Sequence, residues 1–252
     1  MAKFKNNAPK SLPLFLYGRH PVTAAIQNKK RQIITIYTTH DNLAEVTALC
    51  SAAHRDASLI KVVDKKEIDK LLAPDAVHQG FAAAVKELES PALEDICALA
   101  EGQESCHVLI LDQVTDPQNI GAIIRSCVAF DTLALIVQDK NSPTESGAMA
   151  KASAGMIEHL PIVRVTNLSR AAEMLKKAGF WIIGMDGYAK TTIDKINKTG
   201  KTAIIMGSEG KGMRRLVEES CDDTVRLPIS PKVESLNVAT AAAITLYELN
   251  KA

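Results

Sequence analysis

The sequence is poor in aromatic residues and lacks the common metal and nucleophile motifs. Five Phe, four Tyr and one Trp occur in 252 residues, which argues against a row of aromatic rings for stacking nucleic-acid bases. The five cysteines include no C-x-x-C pair, and the six histidines include no H-E-x-x-H. A disulfide framework and a metal site are therefore not indicated, and the absence of G-x-S-x-G disfavours a serine hydrolase.

Long apolar runs are also missing. No run approaches the roughly 20 residues that a membrane-spanning helix requires. The N-terminal stretch MAKFKNNAPKSLP is basic and polar, without the apolar segment of a secretory signal. We therefore expect a cytoplasmic protein without a membrane partner.

The net charge of +1 hides an asymmetry along the chain. Residues 1–90 carry 13 Lys or Arg against 9 Asp or Glu, whereas residues 91–252 carry 17 against 20. A basic N-terminal part is typical of proteins that bind a polyanion, but so small an excess is more often an ordinary solvated surface. Charge alone therefore leaves a nucleic-acid partner open.

Short apolar runs alternate with segments of helical period, which predicts an α/β protein. In the first part the predicted strands are Ile33–Thr39, Ser58–Asp64 and Phe81–Glu87, and the predicted helices are Pro21–Lys30, Asn42–Arg55 and Lys65–Leu72. A proline, acidic residues and a Gly-Gln-Glu-Ser turn then indicate a linker with a helical turn or two. We predict a flexible basic tail at 1–12, a small domain at 13–90, a linker at 91–104 and a second domain at 105–252.

The second domain contains six further strand candidates. In order they are HVLILDQV, LALIVQD, LPIVRV, FWIIGMD, TAIIMGS and TVRLPIS. Continuous apolar strands separated by helices predict a mainly parallel sheet. Ligands of such sheets lie outside the carboxyl ends of the strands, so the loops that follow the strands are the candidate site.

The first of these loops belongs to the segment LDQVTDPQNIGAIIRSCVAF. Asp116 and Pro117 predict a helix start, as the cap and the first helical residue. Asn119 lies in the first turn, Gly121 lies where another segment could approach closely, and Arg125 lies in a stretch otherwise suited to burial. For this helix alone, a solvated Arg125 and a packing role for Gly121 are the simpler interpretation.

The second loop, in AIIMGSEGKGMRRL, has three glycines between Gly207 and Gly212, after a strand and before a helix. Such a loop lets the backbone approach a ligand and exposes amide groups at the start of the helix. Its glycine order matches neither the dinucleotide fingerprint nor the Walker loop. A glycine-rich turn without a ligand therefore remains an alternative.

The third loop is in SPKVESLNVATAAAITLYEL. Ser235 and Asn237 are both suited to cap the helix Val238–Leu249. A cap accounts for one of them and leaves the other, and Glu234, without a role. The small residues of this helix predict that another segment or a dimer partner packs closely against it.

Taken in this order, DQVTDPQNIGAIIRS, IIMGSEGKGMRRL and LPISPKVESLNVATAAAITLYEL resemble the three motifs of the SpoU-class RNA ribose methyltransferases, within the SPOUT superfamily. The first part is similar to the accessory RNA-binding domain of that family, which resembles a ribosomal-protein fold; LYGRHPVTAAI and HQGFAAAVKELE are its end pieces. The resemblance implies an α/β catalytic domain whose C-terminal segment forms a trefoil knot, an exception to the rule that chains stay unknotted.

The resemblance also implies an activity, a cofactor and partners. Family members transfer a methyl group from S-adenosylmethionine to a ribose 2′-hydroxyl of RNA, and they are homodimers with the site near the interface. The two-domain layout is similar to that of enzymes acting on a guanosine of large-subunit rRNA, although relatives of this layout act on other RNAs, so tRNA remains an alternative. A non-catalytic RNA-binding protein and an unrelated nucleotide-binding enzyme are further alternatives. No metal is expected, because the sulfonium leaving group is already activated.

The family pattern assigns the site residues. Backbone around Gly207, Leu227, Ile229 and Leu236 is expected to hold the cofactor. Arg125 is expected to be the main catalytic residue; stabilising a developing alkoxide and positioning a phosphate suit a permanently charged arginine better than a general-base role, and both roles stay open. The other polar positions of the family site match Asn119, Glu209, Ser235 and Asn237.

The third motif departs from the family pattern at one turn. Many relatives carry a Met-x-Gly or similar small-residue turn where this chain has Ser230-Pro231-Lys232. Pro231 stiffens a loop that is expected to lie against the cofactor. The resemblance therefore leaves the cofactor affinity open.

Overall fold

The computed structural model describes residues 13–140, 142–196 and 199–251. The chain divides into two compact units between Leu88 and Glu89. The tail predicted at 1–12 lies outside the described residues.

From residue 13 onward, the first unit is a four-stranded sheet with three α-helices and two short 3-10 helices. Its elements are β1 (Leu14–Tyr17), α1 (Arg19–Gln27), β2 (Ile33–Thr38), α2 (Leu43–Ala52), β3 (Ile60–Val62), α3 (Lys65–Asp69) and β4 (Phe81–Val85). The strand order is β1-β4-β2-β3; β4 is antiparallel to both neighbours and all of its residues are buried. The three predicted strands and helices are present, whereas β1 was not predicted, because four residues beside a polar tail show no period.

The second unit is built on a seven-stranded sheet in which every strand pair is parallel. Its elements are α4 (Leu93–Ala100), β5 (Cys106–Leu111), α5 (Pro117–Ala129), β6 (Ala134–Gln138), α6 (Gly147–Ala152), β7 (Ile162–Val165), α7 (Leu168–Lys177), β8 (Trp181–Met185), β9 (Thr191–Thr192), β10 (Lys201–Met206), α8 (Arg215–Glu218), β11 (Asp223–Arg226) and α9 (Val238–Leu249). All six predicted strands are present. The two-residue β9 is an addition that no apolar run announced.

Helix α4 lies in the segment that the sequence predicted as a linker. Leu93, Ile96 and Ala100 on one face of α4 are buried in the core of the second unit, together with Val108 and Ile110 of β5. The segment 91–104 therefore packs as part of the second unit. Its apolar residues at spacings of three and four explain this burial.

The order of the strands locates a crevice for a ligand. The strand order of the sheet is β7-β6-β5-β10-β8-β11-β9. The chain therefore adds β6 and β7 on one side of β5 and places all later strands on the other side. Leu111 and Met206, the last residues of β5 and β10, are paired in register. The loops after these two strands therefore start side by side at the point where ligands of parallel sheets bind.

Helix α5 packs closely on α6 through Gly121. A Cβ atom at this position would lie 2.5 Å from Ala152 Cβ and 2.6 Å from the carbonyl oxygen of Met149. The packing interpretation of Gly121 therefore holds. Within the part of the chain that the structure describes, no helix has the length and apolarity needed to span a membrane.

Candidate functional site

The glycine-rich loop after β10 is a tight hairpin. The backbone N–H of Ser208 donates to Gly212 O at 3.2 Å, and that of Gly212 donates to Ser208 O at 3.0 Å. Gly210 and Gly212 have φ values of +78° and +65°, a region that glycine adopts without steric cost. Gly207 lies so close to the returning strand of the hairpin that a Cβ atom there would meet the backbone of Gly212 and Met213 at 2.2–2.5 Å.

The hairpin directs Glu209 to the N-terminus of α9. Glu209 Oε1 accepts hydrogen bonds from the backbone N–H of Val238 at 3.0 Å and from Asn237 Nδ2 at 2.7 Å. A carboxylate at this end of a helix is stabilised by the free N–H groups and by the helix dipole. The second and third motifs thus meet through one carboxylate.

Asn237 joins this pair to the first motif. Its Oδ1 accepts hydrogen bonds from the backbone N–H groups of Ala239 at 2.9 Å and Thr240 at 3.3 Å, which makes it the cap of α9. Its Nδ2 also donates to Asn119 Oδ1, on the first turn of α5, at 2.9 Å. Asn119, Glu209 and Asn237 therefore form one polar cluster from three distant segments, and Asn237, not Ser235, caps the helix.

The structure does not join Arg125 and Ser235 to this cluster. Both side chains are exposed, and neither makes a hydrogen bond or ion pair with any other residue in the described ranges. Arg125 follows Asn119 by six positions on α5, which places their side chains about 120° apart around the helix axis. Arg125 is thus free to contact a ligand, although it faces away from Asn119.

The backbone expected to hold the cofactor has free hydrogen-bonding groups. Leu227 is buried and Ile229 and Leu236 are partly buried. Outside the sheet hydrogen bonds of the described chain, no backbone hydrogen bond involves the peptide groups of Gly207 or of these three residues. Apolar side chains beside unpaired peptide groups suit a ligand with a flat apolar ring and polar edges, as adenine has.

The cysteines on the neighbouring elements are not nucleophiles. Burial raises the pKa of the Cys127 thiol, on α5, to about 12, and burial likewise raises the pKa of Cys221, after α8, to about 12. Both remain protonated near neutral pH, where only a thiolate would attack. Within the described residues, His, Cys, Asp and Glu form no group of three or more that could hold a metal ion.

Comparison with known proteins identifies the family. The model of the SpoU rRNA Methylase family matches residues 107–247, and the model for RNA 2′-O ribose methyltransferase substrate binding matches residues 15–91. The chain belongs to the SpoU rRNA Methylase family. Among similar proteins are two named 23S rRNA (guanosine-2′-O-)-methyltransferase RlmB. That of Pseudomonas syringae pv. tomato is 37% identical over 237 residues, covering 92% of this chain and 93% of the relative. That of Pasteurella multocida is 35% identical over 236 residues, covering 93% and 96%.

Solved structures confirm the predicted fold class. The SpoU methyltransferase AviRb from Streptomyces viridochromogenes, in complex with AdoMet, superposes with a TM-score of 0.77 at 23% identity, covering 94% of this chain and 89% of that one. An AdoMet-bound rRNA methyltransferase from Sinorhizobium meliloti gives a TM-score of 0.78 at 22% identity, covering 94% and 87%. The protein therefore has the α/β fold of these methyltransferases, with a large domain built on a parallel sheet and a small N-terminal α/β domain.

Sequence reasoning missed one charged pair in this SpoU domain. Asp112 directly follows β5, and its carboxylate bonds Arg214, which follows the glycine loop. Asp112 stands in the first motif and Arg214 in the second, but the sequence assigned neither a role. The available signal was a carboxylate placed directly after a fully buried strand, at the sheet edge where ligands bind.

The double role of Asn237 predicts the behaviour of two SpoU-domain variants. Asn237→Asp keeps the capping oxygen but places a carboxylate against Glu209, whereas Asn237→Ala removes the cap, which costs about 1 kcal/mol. Like charges in contact raise the pKa of one carboxyl group in the folded N237D protein above its value in the unfolded chain. N237D should therefore gain stability relative to wild type as the pH falls from about 8 to about 5, and N237A should not.

Thermal denaturation of the three proteins at both pH values measures this difference. The alanine variant is the control, because it shares the loss of the Nδ2 donor and adds no charge. A melting temperature of N237D that tracks wild type at both pH values would show that Asn237 and Glu209 are not in contact in solution.

Proposed function

We propose that this protein transfers a methyl group from S-adenosylmethionine to the ribose 2′-hydroxyl of a guanosine in 23S rRNA. Membership of the SpoU family supports the reaction, and the names of relatives that match over more than nine-tenths of both chains support the substrate. The observation that carries the proposal is the cluster of Asn119, Glu209 and Asn237, in which all three family motifs meet at the N-terminus of α9.

The residues of the chain have separate tasks in this reaction. When bound, the cofactor supplies an electrophilic methyl group on a sulfonium. Accepting that methyl group would require the 2′-hydroxyl to lose its proton to water, so the residues of the chain would have to stabilise the negative charge that develops on the 2′-oxygen. Peptide groups of Gly207, Leu227, Ile229 and Leu236 would hold the adenosine part. Arg125 would stabilise negative charge on the 2′-oxygen and position a neighbouring phosphate.

The polar cluster would shape the site rather than carry the proton. Glu209 and Asn237 are bonded to each other and to the backbone of α9, so their positions are fixed before a ligand binds. Ser235, two residues before the cap and exposed, would contact the ribose or the cofactor. A site whose polar groups are oriented in advance loses less free energy when it binds the transition state.

The proposal includes RNA binding by the N-terminal unit, a homodimer and a cytoplasmic location. The match of residues 15–91 to a substrate-binding family supports the first. The outer face of α9 supports the second: Ile244 is 42% exposed and Tyr247 51% exposed, one turn apart on the same face. Apolar side chains on an outer helix face suit an interface between subunits.

Methylation of defined RNAs tests the proposal. The full-length protein, labelled S-adenosylmethionine and 23S rRNA, 16S rRNA or tRNA from a strain that lacks the protein are combined, and the modified ribose is mapped. We expect label at a guanosine 2′-oxygen of 23S rRNA, and none in 23S rRNA from the parent strain, which is already modified. Label in tRNA alone would instead support the tRNA alternative. RNA binding without cofactor binding in calorimetry would support a non-catalytic protein.

A further inference from the structure

Asp112 is a charged residue in a fully buried position. Its side chain is 0% exposed, whereas the side chain of its partner Arg214 is 37% exposed. Oδ2 accepts a hydrogen bond from the backbone N–H of Arg214 at 2.8 Å. Oδ1 accepts a hydrogen bond from Nε of the same arginine at 2.8 Å and forms an ion pair with its Nη2, also at 2.8 Å. A buried carboxylate is retained only when its oxygens are satisfied, and here one residue satisfies both of them.

The same aspartate also bonds the other end of the glycine loop. Its backbone N–H donates to the carbonyl oxygen of Met206, the last residue of β10, at 2.8 Å. Met206 directly precedes the loop 207–213, and Arg214 directly follows it. One residue at the end of β5 therefore holds both ends of the loop, and the loop cannot shift along the sheet edge unless these bonds break.

The loop transmits this position to the polar cluster. Between its two ends it is closed by the paired bonds of Ser208 and Gly212, and Gly207 lies against its returning strand. Glu209 at its tip is the residue that bonds Asn237 and the backbone of Val238. A displacement of the loop would thus move Glu209, although within the described residues Asp112 forms no hydrogen bond or ion pair with Glu209 or α9.

We propose that Asp112 is a positioning residue, which fixes the glycine loop on β5 through Arg214 and so places Glu209 at the N-terminus of α9. This inference rests on the proposed function, because it assigns Asp112 a part in cofactor binding and methyl transfer. The chemistry requires a carboxylate, since within the described residues every hydrogen bond and ion pair of the Asp112 side chain is made with Arg214. An amide accepts with one oxygen only, so Asp112→Asn turns an N–H group toward a donor of Arg214.

The chain offers a matched control in Asp222. Its Oδ2 accepts from the backbone N–H of Ile182 at 2.8 Å, and its Oδ1 pairs with Lys176 Nζ at 2.6 Å. Asp222 therefore also joins a cation to the backbone of a strand of the same sheet. It lies where β8 and β11 begin, at the edge opposite the glycine loop. Asp222→Asn should lower stability without changing the site.

Hydrogen exchange on the full-length protein gives the first test, and it needs no activity. We expect the amides of Ser208 and Gly212 to exchange at least about tenfold faster in D112N than in wild type or D222N, because their mutual bonds lose their support. Equal protection of these amides in all three proteins would overturn the proposal. This result is independent of whether the protein methylates RNA.

A double-mutant cycle with Glu209→Gln gives the second test. We expect D112N to lower kcat/KM by about 10²-fold, as for a displacement of about 1 Å in a site. If Asp112 acts through Glu209, D112N combined with E209Q should lose far less than the product of the two single effects. For D222N combined with E209Q, the loss in kcat/KM should equal the product of the two single losses. If the loss for D112N combined with E209Q also equalled that product, the proposal would be overturned.

A second variant covers the case in which D112N does not fold. Arg214→Lys leaves the carboxylate and a cation in place but removes the forked pair of side-chain bonds. It should speed exchange at Gly212 and lower cofactor affinity by about tenfold, the change that corresponds to the loss of one hydrogen bond to a charged group. Wild-type exchange and affinity in R214K would overturn the proposal. The two proposals can fail separately. If the wild-type protein methylated no RNA, but its loop amides exchanged slowly and D112N made them exchange fast, the proposed function would be refuted and the positioning role of Asp112 would stand.

Discussion

Replacing Arg125 by alanine is expected to lower kcat for RNA methylation by about 10³-fold while cofactor affinity stays within about twofold of wild type. Removing one group that stabilises a developing oxyanion typically costs 10²–10³-fold, and loss of phosphate positioning adds to this. Cofactor binding should persist, because Arg125 is exposed on α5 and bonds none of the described residues. Single-turnover methylation and calorimetry measure the two quantities.

Two further variants accompany R125A: one separates the charge of Arg125 from its geometry, and one is a control at another exposed arginine. Arg125→Lys keeps the charge but loses the planar fork, so we expect a loss between those of wild type and R125A. Arg170→Ala removes another exposed helical arginine, on α7, and should leave kcat unchanged. The free energy of unfolding of all three variants should lie within about 0.5 kcal/mol of the wild-type value, as is usual for surface substitutions. Near wild-type turnover in R125A would eliminate Arg125 from the mechanism.

The sequence predicted the parallel sheet well because its strands are buried on both faces. Runs such as VLIL in β5 and AIIM in β10 are wholly apolar, and the Asp-Pro start of α5 marks a helix without help from tertiary structure. The strands that were missed, β1 and β9, have four and two residues and carry too little pattern. The helix in segment 91–104 was seen as a turn or two, since its burial depends on the core that it joins.

The site was predicted in part, and the limits are physical. Resemblance brought Asn119, Glu209 and Asn237 together, and their contacts in the structure agree with that grouping. Sequence could not decide between Ser235 and Asn237 as the cap of α9, because both residue types cap well and only the path of the chain selects one. The Asp112–Arg214 pair joins residues 102 positions apart, and no local pattern reports such a contact.

Gly207→Ala is expected to abolish cofactor binding at concentrations where wild type is saturated, and to destabilise the protein by about 1–3 kcal/mol. The new Cβ would lie 2.2 Å from the carbonyl carbon of Gly212 and 2.4 Å from the backbone nitrogen of Met213. Backbone atoms cannot rotate away as a side chain does, so the Ser208–Gly212 pair must open and Glu209 must move. Calorimetry with S-adenosylmethionine and thermal denaturation test both effects.

Substitutions of two other glycines, one on β8 and one in the loop that follows it, serve as controls for this prediction. At Gly187 a Cβ atom meets nothing within 4 Å, so Gly187→Ala should bind and melt as wild type does. At Gly184 it meets Met213 Cε at 2.6 Å and Cys221 Sγ at 2.9 Å, which are ends of side chains that can shift. Gly184→Ala should therefore lose less affinity than Gly207→Ala. Equal cofactor affinities of the Gly207→Ala and Gly187→Ala variants would contradict this prediction. The hairpin would then not be the rigid element that places Glu209.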